Sequence, residues 1–231
     1  MARASLQKEP HDVAAMFDDV ARGYDRTNTL MTGGLDRYWR WVTRRQIGLR
    51  RGERALDLAA GTAVSTVDLT RHGGRAIACD FSLGMLAAGR ARSVPKVAGD
   101  GARLPFRNGS FDAVAISFGL RNVADVDAVL RELRRVTRTG GRLVICEVSR
   151  PRLRPVRAGY RIYMRRGMPV LARWCSTSPE AYTYLAESAA AWPDQRALAD
   201  RIRAAGWAGV RWRNLTGGVI AVHRATAPPT G

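Results

Sequence analysis

Three acids stand against short apolar or small-residue runs and pose the first chemical question. Asp57 lies inside Ala55-Leu-Asp-Leu-Ala59, Asp80 closes Ala76-Ile-Ala-Cys79, and Asp100 ends a short run near 95–99. Between the first two acids come Ala59, Ala60, Gly61 and Ala63, residues small enough for a sharp turn that leaves room for a ligand. Asp80 falls roughly twenty residues after that turn, where an acid in a nucleotide site accepts hydrogen bonds from ribose hydroxyls. A bare strand-to-helix connection also uses small residues, but it has no need of an acid at that distance.

The turn limits the kind of nucleotide. A dinucleotide needs several glycines so that its pyrophosphate can reach the helix N-terminus, and Gly61 is the only glycine here. S-adenosylmethionine carries no phosphate and demands less, and Asp100-Gly101 stands where an adenine edge would be read. Other reactive residues are poorly placed. His223 in the last strand has the setting of a packed histidine, and His11 and His72 that of surface residues. Cys79, Cys146 and Cys175 show no metal spacing, so no metal is expected; the first two lie in apolar runs, and Cys175 has no evident activating partner.

Elements that could position these groups follow from periodicity. Helical spacing marks 11–22 and 36–47, with a loop between them through Gly33-Gly34. Strands are expected at 54–59, 75–80, 95–99, 112–118 and 142–148, and helices at 64–72, 83–92 and 125–138, the last stopped by Gly140-Gly141. A helix over 194–205 and strands near 207–213 and 218–224 complete the chain. The fold class is therefore α/β: a doubly wound, mostly parallel seven-stranded sheet with an N-terminal helical cap and an antiparallel final hairpin at its edge. One domain spans 1–225, with the cap at 10–48, an inserted basic helical segment at 150–192 and a disordered tail at 226–231.

Charge and composition bound the partners. The 231 residues carry a formal charge of +18, almost wholly from arginine, since Lys8 and Lys96 are the only lysines. Such a balance suits an anionic partner, although an arginine-rich composition alone would also produce it. No acid occurs from Val148 through Pro179, while eight arginines lie between Arg150 and Arg173. Arg157, Arg161 and Arg165 share one helical face beside Val156, Tyr160, Tyr163 and Met164. That pattern fits either an amphipathic helix on an anionic membrane surface or a helix packed on the core with solvated arginines. No apolar stretch is long enough to span a bilayer, and polar residues 1–10 predict no secretory signal. A cytoplasmic location is expected, with peripheral contact at the inner face of the cell membrane as its extension.

Asp57-Leu-Ala-Ala-Gly-Thr62 resembles motif I of class I methyltransferases, and Ile116-Ser-Phe-Gly-Leu-Arg-Asn-Val123 resembles the hallmark of ubiquinone/menaquinone biosynthesis C-methyltransferases. Leu104-Pro-Phe106, Phe111-Asp112, Gly140-Gly-Arg-Leu143, Tyr184-Leu-Ala-Glu-Ser188, Pro193-Asp-Gln195, Ala205-Gly206 and Asn214-Leu-Thr-Gly217 extend the likeness from about Phe17 to His223. The similarity is greatest to the shorter, demethylmenaquinone-directed members. It implies methyl transfer from S-adenosylmethionine to a ring carbon of a prenylated naphthoquinol. By that analogy Gly61 and Thr62 form the cofactor turn, Asp80 holds the ribose, Asp100 and Gly101 flank the adenine, and Ser117 lies beneath the methionine end. Ala63 departs from the family's usual glycine, and alanine there argues against a position needing positive φ.

Methylating a quinol carbon needs a group that favours the phenolate. Just past the fourth strand, Arg121 would stabilise it or position a water, and Asn122 would hold an oxygen. Tyr24 in the cap is a third residue placed to meet the ring. A loop salt bridge to Asp125 or Asp127 is the plain structural alternative for Arg121. A benzoquinol or another small aromatic acceptor is the nearest alternative substrate. A nucleic-acid methyltransferase is disfavoured, because Phe118-Gly-Leu-Arg121 replaces the Asn/Asp-Pro-Pro-aromatic sequence that supports a flipped base. No nucleic acid is therefore expected as partner, and a homodimer stays open.

Overall fold

The computed structural model describes residues 8–168, 170 and 179–229. From residue 54 onward short apolar runs alternate with helices, and each run forms a strand. These are β1 (Arg54–Leu58), β2 (Arg75–Asp80), β3 (Lys96–Ala98), β4 (Phe111–Ser117), β5 (Thr137–Val148), β6 (Ala208–Leu215) and β7 (Ile220–Thr226). They make one seven-stranded sheet in the order β3-β2-β1-β4-β5-β7-β6. Pairing is parallel from β3 to β5, and β7 runs antiparallel to both β5 and β6. The final hairpin is therefore present, but only β6 forms the edge, because β7 is inserted beside β5. Strand order reverses between β1 and β4, the place where ligands enter doubly wound sheets.

Helices cover both faces. On one side α6 (Val126–Val136) and α9 (Gln195–Ala204) bury Val129, Leu130, Leu133, Leu198 and Ile202 against Leu56, Val114 and Ile145. On the other, α3 (Leu35–Ile47) and α4 (Val64–Thr70) pack Trp39, Val42, Ile47 and Leu69 against Ala55, Ala113 and Val144. Burial on both faces explains why β1 and β4 are nearly continuous apolar runs. Cys79 and Cys146 are buried in the same layers, and burial pushes both thiols up to about 12. They act as small hydrophobes; Cys175 lies outside the described residues.

Three helices, not two, build the N-terminal cap: α1 (Pro10–Val20), α2 (Tyr24–Met31) and α3. The loop expected after Gly23 is helical. Gly23, at φ 85°, breaks the chain between α1 and α2. Polar Tyr24 and Asn28 share a face with Met31 and line a cavity, so α2 lacks an apolar stripe to announce it. Gly140-Gly141 also plays a different part from the one expected. Helix α6 ends at Val136 and β5 begins at Thr137, carrying both glycines through a register shift. A Cβ at Gly141 would lie 2.4 Å from Thr137 Cγ2 and 2.8 Å from the Arg138 carbonyl, so the kink requires glycine. Residues 226–228, expected in a disordered tail, take part in the fold. Thr226 ends β7, Ala227 is buried with its N–H donating to the Gly141 carbonyl, and Arg134 donates to the Pro228 carbonyl.

The basic segment forms α7 (Arg154–Ile162), which widens into a π turn over Tyr163–Gly167, and later α8 (Pro179–Ala191). Its Tyr and Met residues turn inward: Val156, Tyr160, Tyr163 and Met164 line the cavity beneath the cap. Arg154, Arg157, Arg161, Arg165 and Arg166 are exposed, together with Ile162. The aromatic face thus packs inward, and what faces outward is arginine with a little aliphatic surface. Arg173 lies outside the described residues. No helix among the described residues is long and apolar enough to cross a membrane.

Candidate active site

The turn after β1 is built from left-handed residues: Ala59 at φ 52°, Gly61 at φ 56° and Ala63 at φ 64°. The expectation that alanine would keep residue 63 out of positive φ is therefore corrected. Ala63 adopts that conformation as the residue before α4, fully buried and bonded through its N–H to the Ala60 carbonyl at 2.8 Å. A left-handed alanine costs about 1–2 kcal/mol, which the packing around the turn must offset. Close approach shapes the rest. A Cβ at Gly119, just past β4, would lie 2.2 Å from that of Ala59, so glycine lets the two strand ends meet.

Asp80 at the end of β2 ties two turns together. Its Oδ2 accepts from Gly61 N–H at 2.7 Å and its Oδ1 from Ser82 N–H at 2.9 Å. Burial raises its pKa while these hydrogen bonds pull against the rise. Thr62 spends its hydroxyl on the cap, donating to Asp25 Oδ1 at 2.7 Å. Arg92 closes the triangle, holding Asp25 Oδ2 at 2.6 Å and the Thr62 carbonyl at 2.7 Å. A second clamp joins α1 to the start of α5 (Leu83–Ala88): Asp18 Oδ1 accepts from Ser82 Oγ and from Gly84 N–H.

Asp100 is exposed at the rim, where its Oδ1 accepts from Ala102 N–H at 2.9 Å. A Cβ at Gly101 would meet Leu58 at 3.2 Å, so glycine brings this loop close to β1. Ser117 ends β4 opposite Cys146. Asp57 is 1 % exposed within β1 and accepts from Thr66 Oγ1 at 2.7 Å. Burial pushes its pKa up to about 7, against the Thr66 bond.

Arg121 forms neither of the loop salt bridges named as its structural alternative. Its Nη1 bonds Glu147 Oε1 at 2.8 Å and the Phe118 carbonyl at 2.6 Å. Asp125 instead caps α6 through Ala128 N–H, and Asp127 pairs with Arg201. Arg121 is 4 % exposed and Glu147 1 %, so this is a buried pair and not a loop bridge. Burial alone would lower the arginine's pKa; Glu147 and then Tyr24 hold it above its ordinary value. Beside it, Asn122 points Nδ2 toward the Phe118 carbonyl at 3.4 Å and leaves a buried Oδ1 with no hydrogen-bond partner among the described residues. Burial raises the phenols of Tyr24, Tyr160 and Tyr184, Tyr160 to about 12, and the charge of Arg121 acts on all three to lower them.

Tyr24, Gly61, Thr62, Asp80, Asp100, Gly101, Ser117, Arg121 and Asn122 all line one cavity of about 830 Å³. That size falls in the usual range for ligand clefts, about 300–1,000 Å³. Glu147, Asp25 and Arg92 went unrecognised in the sequence, and Asp57 was singled out there without a role. An acid inside an apolar strand, as in Val144-Ile-Cys-Glu-Val148, is itself a signal, since a buried carboxylate needs a partner. His223 is 1 % exposed, outside the cavity lining, with Nε2 at 2.8 Å from the Gln195 carbonyl and its pKa lowered by burial. The packed reading of this histidine holds.

Solved methyltransferases share this architecture. One from Thermotoga maritima, described as S-adenosylmethionine-dependent and a possible histamine N-methyltransferase, superposes with TM-score 0.65 over 93 % of this chain and 99 % of its own, at 19 % identity. Sequence relatives are much nearer. A demethylmenaquinone methyltransferase of Mycolicibacterium paratuberculosis is 62 % identical over 229 residues, 99 % of this chain and all of its own length. One from Mycobacterium tuberculosis is 60 % identical over 228 residues, 99 % of this chain and 97 % of its own. A sequence model of one family, the ubiE/COQ5 methyltransferases, matches residues 4–227 and so takes in the cap, both acid-bearing turns and the Arg121 loop. The chain belongs to the ubiE/COQ5 methyltransferase family.

Proposed function

We propose that this S-adenosylmethionine-dependent enzyme methylates a ring carbon of a demethylmenaquinol, the prenylated naphthoquinol that precedes menaquinol. One observation carries the assignment of roles: Arg121, a buried and permanently charged guanidinium, lines the cavity together with Tyr24 and Tyr160. Burial raises the pKa of both phenols, and the charge of Arg121 works against that rise. A quinol hydroxyl bound among them meets the same two effects, and Arg121 is the group that favours its phenolate. Arg121 acts as a fixed charge and not as a base, because Glu147 keeps it protonated. The orphaned Asn122 Oδ1 accepts a hydrogen bond from a quinol hydroxyl and so orients the ring. Tyr24 covers the ring from the cap.

The cofactor fits the remaining walls. Asp80 offers the ribose its carboxylate, the Gly61 turn and Ser117 flank the methionine end, and Asp100-Gly101 border the adenine. Thr62 acts through Asp25, holding the cap on this turn. Buried Asp57, with a pKa near neutrality, suits a cationic ligand. When bound, S-adenosylmethionine supplies a methyl group already activated by its sulfonium sulfur. The protein's share is to align the acceptor carbon, favour the phenolate and exclude water beneath the cap.

The outward arginines of α7 support a reading in which the enzyme works at an anionic bilayer, where the prenyl tail of the substrate resides. Labelled S-adenosylmethionine and reduced demethylmenaquinol in anionic vesicles provide the test. Label on the naphthoquinol ring, abolished in a folded Asn122→Leu variant, is the expected result. Label on a benzoquinol but not on the naphthoquinol would overturn the substrate assignment.

A further inference from the structure

Exposed residues of the cavity lining fall into two groups well apart in the sequence. In one, Phe81, Asp100 and Asp125 are both exposed and cavity-lining, beside the cofactor turns. In the other, Gly33, Leu35 and Gly159 combine exposure with cavity lining, far along the chain from those turns.

A closed frame surrounds the second group. Tyr163 donates its hydroxyl to the Met31 carbonyl at 2.5 Å, joining the end of α7 to the end of α2. Val156 packs so tightly on the turn after β6 that a Cβ at Gly217 would lie 2.9 Å from its Cγ1. In that same turn Thr216 accepts from Trp39 Nε1 at 2.8 Å, and Trp39 shares a face of α3 with Leu35 one turn earlier. Met31, Tyr163, Val156, Thr216, Trp39 and Leu35 thus complete a ring. Its inner end adjoins the reacting loop, because Trp39 packs against Phe118 at 5.7 Å and the Phe118 carbonyl holds Arg121.

One residue beside the ring, between Val156 and Tyr163 on α7, has no packing reason among the described residues to be what it is. Val156, Gly159, Tyr160 and Tyr163 follow the i, i+3, i+4, i+7 spacing of the inward face of α7. Gly159 leaves a notch in that stripe. Glycine in a helix interior lowers its stability, and its usual justifications are positive φ or close approach. Neither applies: Gly159 has an ordinary helical φ, and a Cβ there would meet nothing within 4 Å among the described residues.

We infer that this ring is the exit for the prenyl tail, which leaves the quinol site over the Gly159 notch and passes between Leu35 and Val156 to the surface. The inference rests on the prenylated substrate proposed above. Leu30, Tyr38 and Trp41 on α2 and α3, and Ile162 on α7, are exposed apolar side chains on the helices that frame the ring.

The test compares Gly159→Leu with wild type on two acceptors, a long-chain demethylmenaquinol and a tail-free naphthoquinol. Space at the notch lets the variant fold, and Gly159→Ala should raise the melting temperature. Gly159→Leu is expected to lower kcat/KM for the long-chain acceptor about tenfold or more while leaving the tail-free acceptor unchanged. Equal losses on both, or on neither, would overturn the exit. A benzophenone-tagged farnesol gives a readout that does not depend on turnover. Crosslinks to the peptides bearing Leu35, Val156 or Tyr163, lost in Gly159→Leu, support the exit; crosslinks elsewhere refute it. Wild-type failure to methylate any naphthoquinol, with crosslinks at the ring, would retire the substrate reading and leave a portal for an apolar chain.

Discussion

A guanidinium 4 % exposed, on a carboxylate 1 % exposed, makes Arg121 awkward to probe by truncation. Removing one partner of a buried pair strands the other and costs about 3–5 kcal/mol. Arg121→Ala should therefore unfold at lower temperature as well as lose activity. Arg121→Gln, assayed where it remains folded, separates the two effects. Without the positive charge the quinol pKa rises, so the acid limb of the kcat–pH profile moves to higher pH; an unmoved limb would show that Arg121 serves only structure. Asp57 gives a second titration. Its folded pKa of about 7 exceeds the ordinary 3.8, so burial favours the protonated acid. Its contribution to the stability of the free protein is full below 3.8 and lost as pH rises toward about 7. A cationic cofactor favours the ionised form, so binding at pH 6–7 should release a proton, seen by calorimetry in buffers of different ionisation enthalpy. Asp57→Asn should abolish that release. Asp57 and Asp80 were legible because acid, apolar run and small-residue turn are contiguous. Glu147 was not: it meets Arg121 only through the register that sets Ser117 opposite Cys146.

The same division holds among the elements. Strands β1, β2 and β4 declared themselves as apolar runs, since burial on both faces leaves little room for polar residues. Helix α2 stayed hidden because the face it turns inward meets a ligand cavity and not a core. Its position nonetheless matters, since Asp25 fastens the cap to the cofactor turn through Thr62 and Arg92. The Arg92 pair is partly exposed and contributes little stability, within about 1 kcal/mol. Asp25→Asn should accordingly leave the melting temperature almost unchanged while loosening the cap. The expected signs are faster tryptic cleavage at Arg22 or Arg26 and S-adenosylmethionine binding weakened several-fold. A variant that binds the cofactor as tightly as wild type would show that the clamp does not govern retention.

Across the whole molecule the question is whether +18 reflects composition or a partner. Arginine scattered evenly would argue for composition. Here Arg154, Arg157, Arg161, Arg165 and Arg166 occupy the outward side of one acid-free segment, whose inward side lines the cavity. Each arginine at an anionic surface contributes about 1 kcal/mol, and the attraction is screened within a Debye length. The enzyme should therefore sediment with phosphatidylglycerol vesicles at low salt and release from them at about 0.5 M salt. Arg161→Glu combined with Arg165→Glu should weaken sedimentation at least about tenfold, while methylation of a tail-free naphthoquinol in solution stays intact. Equal binding to zwitterionic vesicles would mean that the exposed Leu153 and Ile162 insert and the charge is incidental. No sedimentation with either vesicle would trace the arginines to composition, and the prenyl tail would then have to reach the cavity through water.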